Sequence, residues 1–436
     1  MRELKEGHLP RRLVFAQSLS SIAPLSSTAA LLTVVLSQSL ASSPVAALLG
    51  FLMYGVWVAI GYSYSSTVAS YGGTYEFARR SAGERVASSI GWMYWLSYTA
   101  YISAITSYLA GVIVPTVTGA PSLYARLLCV AVPLVIAGIV ATGVEVPLNI
   151  ALVTSSAEVL VIVLTGVLVL GRLGLRPLEV TVAPRDLLGG AAVAAFTVAG
   201  GGASFFMGYE ARNGSKDVSK SFLAAFLVGA ASIGFASYYE VVAAGYSNQA
   251  VARLLSVTQY PGLYIAGLYG GPLLETVYLA LTLSSLISSS IAAYVAVQRL
   301  MHALTGSTLN RVTVAELAVI LIINAIIALA GPAQAYVYAV TASLAALFIS
   351  HAAISGLYVR FSRIYKGNHM ALRAALAAGG VVIMAVGLYY EVLSLGVAFA
   401  VAGLVPAALA SLWGPRLFRP TALYRRTRHA QVPQSS

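Results

Sequence analysis

About twelve long apolar segments dominate the sequence, and they restrict the fold more than any other feature. A bilayer core roughly 30 Å thick needs about 20 apolar residues per helix. Because backbone polar groups find no water in lipid, such segments must satisfy them internally, as helices do. The sequence therefore predicts an all-α membrane protein with about 12 transmembrane helices. The predicted spans lie near residues 13–36, 44–68, 86–114, 124–142, 147–171, 187–208, 221–246, 272–300, 313–331, 334–357, 372–390 and 392–412.

Composition excludes a water-soluble domain of this size. Hydrophobic residues make up 59% of the 436 residues and charged residues only 9%, whereas a soluble domain carries about 25% charged residues. No cleavable signal peptide is expected, because the apolar run after the charged start is long enough to span a membrane. The single cysteine, Cys129, rules out an internal disulfide and is expected to serve packing.

The distribution of basic residues along the chain explains the net charge of +12 in terms of a membrane. With twelve spans and a cytoplasmic N-terminus, 21 of the 26 basic residues fall on the cytoplasmic side, as the positive-inside rule requires. This predicts a multi-pass protein of the cell membrane with both termini in the cytoplasm. Residues 1–12 would be a cytoplasmic N-terminus and residues 413–436 a basic cytoplasmic tail. We expect membrane lipids and no nucleic acid as partners.

Two of the predicted spans carry helix-breaking residues. The first contains SLSSIAPLSSTAA, in which Pro24 removes a backbone donor among several serines. The sixth contains consecutive glycines from Gly200 to Gly202, followed by Gly208. Breaks five helices apart are typical of transporters built from inverted repeats, where irregular backbone lines a binding site. The alternative is close helix packing, which also uses glycine.

Four segments resemble the amino acid–polyamine–organocation superfamily of transporters, in particular its amino acid permeases. SYGGTYEFARRSAGERVASSIGWMYWLSYTAY is similar to the family's entry into the third helix, and FFMGYEARNGSKDVSKSF to its exit from the sixth. SSLISSSIAAYVAVQRLMHALTGSTL is similar to the eighth helix, and LVFAQSLSSIAPLSS stands where the first helix is expected. One departure is that Ala23, Pro24 and Leu25 replace the usual Gly-Ser-Gly type break.

The resemblance implies a bundle with 5+5 inverted repeats, in which helices 1 and 6 are broken and two C-terminal helices are added. The transmembrane domain would cover residues 13–412. Its first repeat would lie at about 13–171, its second at about 187–357, and the extra helices at about 372–412.

The resemblance also implies a substrate site. Family members bind the substrate carboxylate on first-helix amides and its amino group on sixth-helix carbonyls. In this chain, the implied substrate-binding residues are Ser21, Ile22, Ala23, Pro24, Leu25, Ser26, Gly202, Ser204, Phe205, Phe206 and Gly208. Fixed backbone dipoles would then hold a zwitterion without burying a side-chain charge. The alternative for both phenylalanines is packing.

Tyrosines on the third span form a second candidate surface. Tyr94, Tyr98 and Tyr101 are three or four residues apart and share one helix face. Because a hydroxyl facing lipid would be poorly satisfied, we expect this face to point into the bundle. Tyr98 and Tyr101 are predicted to contact substrate or a gate, with helix–helix hydrogen bonding as the alternative.

Glu158 lies in the middle of its span, where an ionisable side chain is costly and suggests function. We hypothesise that it couples proton movement to transport; a structural hydrogen bond and a sodium ligand remain alternatives. Ser285 and Ser288 are similar to the hydroxyls that complete a cation site in sodium-coupled relatives, although serine also joins helices.

Other polar residues have more ordinary explanations. His351 is expected to be a satisfied interior histidine, with proton relay as the alternative. Glu240 and Glu275 lie near outer helix ends and are expected to reach water. Glu210 is expected to pair with cytoplasmic arginines.

The leading functional hypothesis is a secondary active transporter that moves amino acids by alternating access, driven by an ion gradient. Protons are the preferred coupling ion and sodium the second. The alternatives are an exchanger of amino acids, polyamines or other organic ions, a membrane enzyme, or a non-transporting scaffold. No phosphate-binding loop, metal-ligand cluster or catalytic triad is found, so no cofactor, metal or enzymatic activity is predicted. The sequence gives no signal for an oligomeric state.

Overall fold

The computed structural model describes residues 4–115, 119 and 122–417. Regular structure in these residues is helical, apart from one isolated bridge between Leu9 and Ala211. The helices are α1 Arg11–Ile22, α2 Pro24–Ser27, α3 Thr33–Ser39, α4 Ser43–Ser65, α5 Thr74–Ala82, α6 Glu84–Tyr108, α7 Ser122–Ala141, α8 Glu145–Leu173, α9 Pro184–Phe196, α10 Ser215–Ala244, α11 Asn248–Val257, α12 Pro261–Thr305, α13 Leu309–Ala330, α14 Pro332–Tyr365, α15 Met370–Leu395, α16 Val397–Phe399 and α17 Val405–Leu417. The part of the predicted C-terminal tail beyond residue 417 lies outside the described residues.

Eleven helical stretches in the described part of the chain are long and apolar enough to cross a membrane. The first, Arg11–Ser65, has 55 residues. At 1.5 Å per residue a single helix of that length would run about 80 Å, far more than one crossing needs. The chain turns at Leu40, whose φ is 45°. The eleven stretches therefore contain enough length for the predicted twelve crossings.

Side-chain burial separates a packed interior from an outer apolar surface. Large apolar residues such as Leu52, Val153 and Leu329 are 73%, 69% and 82% exposed. In water these side chains would be unfavourable, whereas in a bilayer lipid tails cover them. Inside, small residues let helices approach closely, since a Cβ on Gly50 would meet the backbone of Ala191 and Ala195 on α9.

In the first and the sixth predicted spans the backbone leaves the α-helical conformation. Helix α1 ends at Ile22, Ala23 is left-handed with φ 51°, and α2 begins at Pro24. A left-handed residue with a side chain costs roughly 1–2 kcal/mol. Helix α9 ends at Phe196, and residues Ala199–Met207 form a 3₁₀ helix instead.

These two irregular segments, residues 23–27 and 197–207, touch each other's flanks. The Ser27 hydroxyl shares its proton between the Ile22 carbonyl at 2.8 Å and the Thr197 carbonyl at 3.1 Å. The Ser18 hydroxyl donates to the Gly201 carbonyl at 2.6 Å. Gly200 lies so close to α1 that a Cβ would collide with the Ser21 carbonyl oxygen. Serine hydroxyls thus donate to backbone carbonyls and replace some of the hydrogen bonds that a continuous helix would make.

The close approach at Gly200 predicts a stability effect. In Gly200→Ala the new methyl group meets backbone, which cannot rotate away, so we expect the free energy of unfolding to fall by about 1–3 kcal/mol. Gly138→Ala is the matched control, because a Cβ there has nothing within 4 Å and alanine favours a helix by about 1 kcal/mol. Unfolding in mixed micelles measures both. Equal stability of the two variants would contradict the close contact.

Candidate functional site

The amides after Ala23 are held by side chains from two other helices. The Leu25 amide donates to Glu158 Oε2 on α8 at 3.3 Å, and the Ser26 amide donates to the Ser285 hydroxyl on α12 at 3.2 Å. Ser285 in turn donates to the same Glu158 oxygen at 2.7 Å. Three segments distant in sequence therefore meet in one hydrogen-bonded cluster, which we call the Glu158 cluster: Leu25, Ser26, Glu158 and Ser285.

Glu158 itself is fully buried, and only one of its oxygens has partners. Oε2 accepts both hydrogen bonds, whereas Oε1 has no hydrogen-bond partner among the described residues. A buried polar atom without a partner is costly, so Oε1 marks a place where a proton, a cation or a water would be stabilised. Ser288, the other predicted coupling residue, is directed differently: its hydroxyl donates to the Ser285 carbonyl of its own helix at 3.1 Å.

Predicted residues of the second irregular segment face in different directions. Phe205 packs against Phe77 and Phe222, with ring centroids 5.1 and 4.6 Å apart. Phe206 instead faces Tyr94 and Tyr98 on α6.

The remaining predicted residues of this segment are also buried. Ser204 has a hydroxyl with no hydrogen-bond partner among the described residues. A Cβ on Gly202 would lie 3.3 Å from the Tyr94 hydroxyl, so α6 also covers this glycine. Gly208 sits against another backbone, since its amide donates to the Ser70 carbonyl at 3.0 Å.

The tyrosine face of α6 joins the two irregular segments. Tyr98 is 7% exposed, its ring meets Phe206 edge-on at 6.1 Å, and its hydroxyl interacts with Ser21. Tyr101 interacts with the Ser289 hydroxyl of α12 and lies near Glu158. The face points into the bundle, as its spacing indicates. Tyr98 thus contacts the second irregular segment and Ser21, which lies two residues before the first, while Tyr101 borders the Glu158 cluster.

His351 of α14 lies at the other side of Tyr94. Its ring stacks on Trp57 with centroids 3.8 Å apart, and its Nε2 is 3.3 Å from the Tyr94 hydroxyl. The ring is interior, as expected, but within the described part of the chain the expected full hydrogen bonding is not observed. Nδ1 has no hydrogen-bond partner among the described residues.

At the end of the bundle near the N-terminus, Glu210 and Arg299 form a buried ion pair. Arg299 Nε donates to Glu210 Oε2 at 2.5 Å and its Nη2 donates to Oε1 at 3.1 Å. Both side chains are 3% exposed. The expectation that Glu210 pairs with an arginine is confirmed. The N-terminal segment is tied to the same place, because the Leu9 amide donates to the Glu210 carbonyl.

A cavity of about 1100 Å³ lies beside this ion pair. Its lining includes His8, Glu145, Glu210, Gln298 and Arg299, and it contains none of the predicted substrate-binding residues. The lining residue Val295 is ten positions beyond Ser285 on α12, about 15 Å along the helix. The cavity is therefore separate from the Glu158 cluster.

Two acidic residues lie in surroundings that the sequence did not predict. Glu240 is 0% exposed, so the prediction that it reaches water is wrong; residues of α12 and the bundle cover it. Glu275 is exposed as expected. Glu316, which no motif singled out, accepts from the Trp95 indole at 2.7 Å and from the Thr99 hydroxyl at 2.6 Å.

Comparison with known proteins gives one family. A family model described as amino acid permease matches residues 14–309, which is more than half of the chain. The matched region contains both irregular segments, the Glu158 cluster and the ion pair. No curated protein matches the sequence.

The ion pair predicts a large effect of losing one partner. Glu210→Gln leaves the Arg299 guanidinium buried without a counter-charge, and we expect the free energy of unfolding to fall by about 3–5 kcal/mol. Glu145→Gln is the control: its side chain is 66% exposed and its distance to His8 is 3.8 Å, so a change within about 0.5 kcal/mol is expected. Equilibrium unfolding in mixed micelles gives both values. A Glu210→Gln protein as stable as the control would contradict the buried pair.

Proposed function

The chain belongs to the amino acid permease family, and from this premise we propose that it is a secondary active transporter that moves amino acids by alternating access. Its multi-pass helical bundle and its family support amino acid transport across a membrane. We further propose that it works in the cell membrane with both termini in the cytoplasm, because basic residues concentrate in loops on that side.

The proposed architecture is the 5+5 inverted repeat, with residues 13–171 and 187–357 as the two repeats and 372–412 as added helices. Irregular backbone at residues 23–27 and 197–207 supports it, because the two segments occupy the first and sixth predicted spans and contact each other's flanks. Such paired irregularities are where transporters of this type bind substrate.

The proposed substrate site uses backbone groups at these two segments. The amides of Leu25 and Ser26 would take the carboxylate, since they lie at the start of α2, where the helix dipole favours negative charge. Carbonyls between Gly202 and Phe206 would take the ammonium. Tyr98 and Phe206 would close the space between them, because their rings already meet beside Ser21.

One observation carries the coupling proposal: the Leu25 amide, a proposed ligand of the substrate carboxylate, donates to Glu158. An ionised Glu158 therefore competes with the substrate for the same donor. A proton on Oε1, the oxygen without a partner among the described residues, would neutralise the carboxylate and weaken Oε2 as an acceptor, which would make the amide easier to release to the substrate. Proton uptake and substrate binding would then favour each other, which is the linkage that a proton symporter requires.

The coupling proposal predicts a specific loss in Glu158→Gln. The side-chain amide keeps the volume but cannot exchange a proton, so we expect proteoliposomes to lose uptake driven by a pH gradient and to keep exchange of labelled for unlabelled amino acid. Glu275→Gln, which changes an exposed carboxylate, should retain both activities.

Gradient-driven uptake that survives Glu158→Gln would remove Glu158 from coupling. Uptake driven by a sodium gradient in the unaltered protein would favour the sodium alternative. Exchange without net uptake would identify an exchanger, and no protein-dependent transport would contradict the proposed function.

Ligand-dependent stability identifies the substrate. A ligand that binds only the folded protein stabilises it by RT ln(1 + [L]/Kd), about 2.7 kcal/mol at a hundred times Kd. Among about twenty amino acids added to purified protein, we expect a small set to raise the unfolding temperature. Esters of the same amino acids, which lack the carboxylate, should have no effect. Stabilisation by the esters would contradict carboxylate binding on the Leu25 and Ser26 amides.

A further inference from the structure

Glu240 lies at the opposite end of the bundle from the Glu210–Arg299 pair. It is near the C-terminal end of α10 and is fully buried, and neither of its carboxyl oxygens has a hydrogen-bond partner among the described residues. Tyr278, which lies beside it on α12, is 21 positions before Arg299, about 30 Å along the helix. In the proposed orientation this end faces the outside.

In the part of the chain that the structure describes, no positive charge is paired with Glu240 to balance an ionised carboxylate. No ion pair of the described residues includes Glu240. The titratable groups that face it are Tyr239 on its own helix and Tyr278 on α12. Gly262, at the start of α12, also lies against it and has no side chain. An isolated carboxylate in such surroundings would be a buried, unpaired charge, which proteins avoid.

The hydroxyl beside Glu240 has a defined hydrogen-bond direction. Thr28 donates its only hydroxyl proton to the Leu25 carbonyl at 2.6 Å. Its oxygen lies 3.4 Å from the Tyr278 hydroxyl, so Tyr278 must be the donor in that contact. The remaining lone pairs of Tyr278 can then only accept.

The Tyr278 oxygen and Glu240 Oε1 are directed at one narrow space. A Cβ on Gly262 would meet both atoms, with Oε1 at 2.8 Å. The Tyr278 oxygen, which also interacts with Tyr239, presents lone pairs to this space when its proton is given to Thr28. An ionised Glu240 would present lone pairs too, so a proton on Glu240 removes the repulsion between the two oxygens. The two residues do not form a hydrogen bond in this structure. A protonated Glu240 would donate to Tyr278 through one water or after a small side-chain rotation, and this would complete a one-way series from Glu240 to the Leu25 carbonyl.

From this arrangement we infer that Glu240, with the hydroxyls of Tyr278 and Thr28, forms a second proton-binding site at the outer end of the bundle. In the closed arrangement described here an O–H bond forms on the carboxylate, and the proton comes from water on that side. The series ends at Leu25, whose amide donates to Glu158. The two carboxyl groups therefore act on opposite ends of the same residue.

The segment above the site gives it a means of access. Gly262, which lies against Glu240, belongs to residues 246–270. This segment is bounded by Gly245 and Gly271, whose φ angles of 109° and 77° suit glycine. Movement of this segment would admit water to the carboxyl group, which could then lose its proton. A role of this site in coupling rests on the proposed transport function. Proton binding by Glu240 does not, because it is measured independently of transport.

Infrared difference spectroscopy of the full-length protein in nanodiscs at neutral pH tests proton binding. We expect a carboxylic acid C=O band that disappears in Glu240→Gln and remains in Glu275→Gln. Glutamine resembles the protonated acid in shape and charge, so the variant should fold. In Tyr278→Phe the band should shift to higher frequency, because the acid loses its acceptor. An unchanged acid band in Glu240→Gln overturns the inference, and an unshifted band in Tyr278→Phe overturns the role of Tyr278.

Transport assays of the same proteins test whether the Glu240 site takes part in coupling. We expect Glu240→Gln to lose accumulation driven by a pH gradient and to retain exchange, as a permanently neutral site would. Accumulation equal to that of the unaltered protein overturns a coupling role for Glu240. If the unaltered protein transports nothing, the proposed function fails, while the infrared bands still decide whether Glu240 binds a proton.

Discussion

The need to satisfy backbone groups away from water governs this structure. In lipid a helix supplies that satisfaction by itself, and wherever the helix stops, another group must take over. The chain stops being α-helical at Ala23 and again after Phe196. Side chains then complete the backbone: Ser18 and Ser27 donate to carbonyls of the second irregular segment, while Glu158 and Ser285 accept from amides of the first. The same groups that repair the backbone are the ones able to release it to a ligand.

The helices could be predicted from sequence because their signals are local. Apolar runs of about 20 residues, Pro24 and the glycines at Gly200–Gly202 each act within a few residues of their own position. The site could be predicted only in part, because its contacts join distant residues: Glu158 is 133 positions from Leu25, and Ser285 is 127 from Glu158. Glu240 was misplaced for a related reason. Its position near a helix end indicates water, and only the later segment that contains Gly262 excludes it.

Leu25 connects the two proposed proton sites. Its amide donates to Glu158, and its carbonyl accepts from Thr28, which contacts Tyr278. A peptide unit couples its two ends weakly, but both ends belong to a four-residue helix that begins directly after the left-handed Ala23. Its four residues are buried, and Glu158 and Ser285 hold two of its amides, so its position depends on those side chains. Protonation at either carboxyl group would therefore bias the position of the same small element.

Alternating access requires that closures at the two ends have similar free energies, since a ligand or proton can shift an equilibrium only by its differential affinity for the two states. The two ends of this bundle close by different physical means. At one end a buried ion pair and the hydrogen bonds of the N-terminal segment hold Glu210, next to a cavity that water can enter. At the other end Glu240 is covered by a segment without a charged partner. Opening the first end exposes charges that water solvates well, which reduces the cost of separating them. Opening the second lets a carboxyl group ionise. In the proposed mechanism, each closure would thus be weakened by water at its own end, and a proton would strengthen only the closure at Glu240.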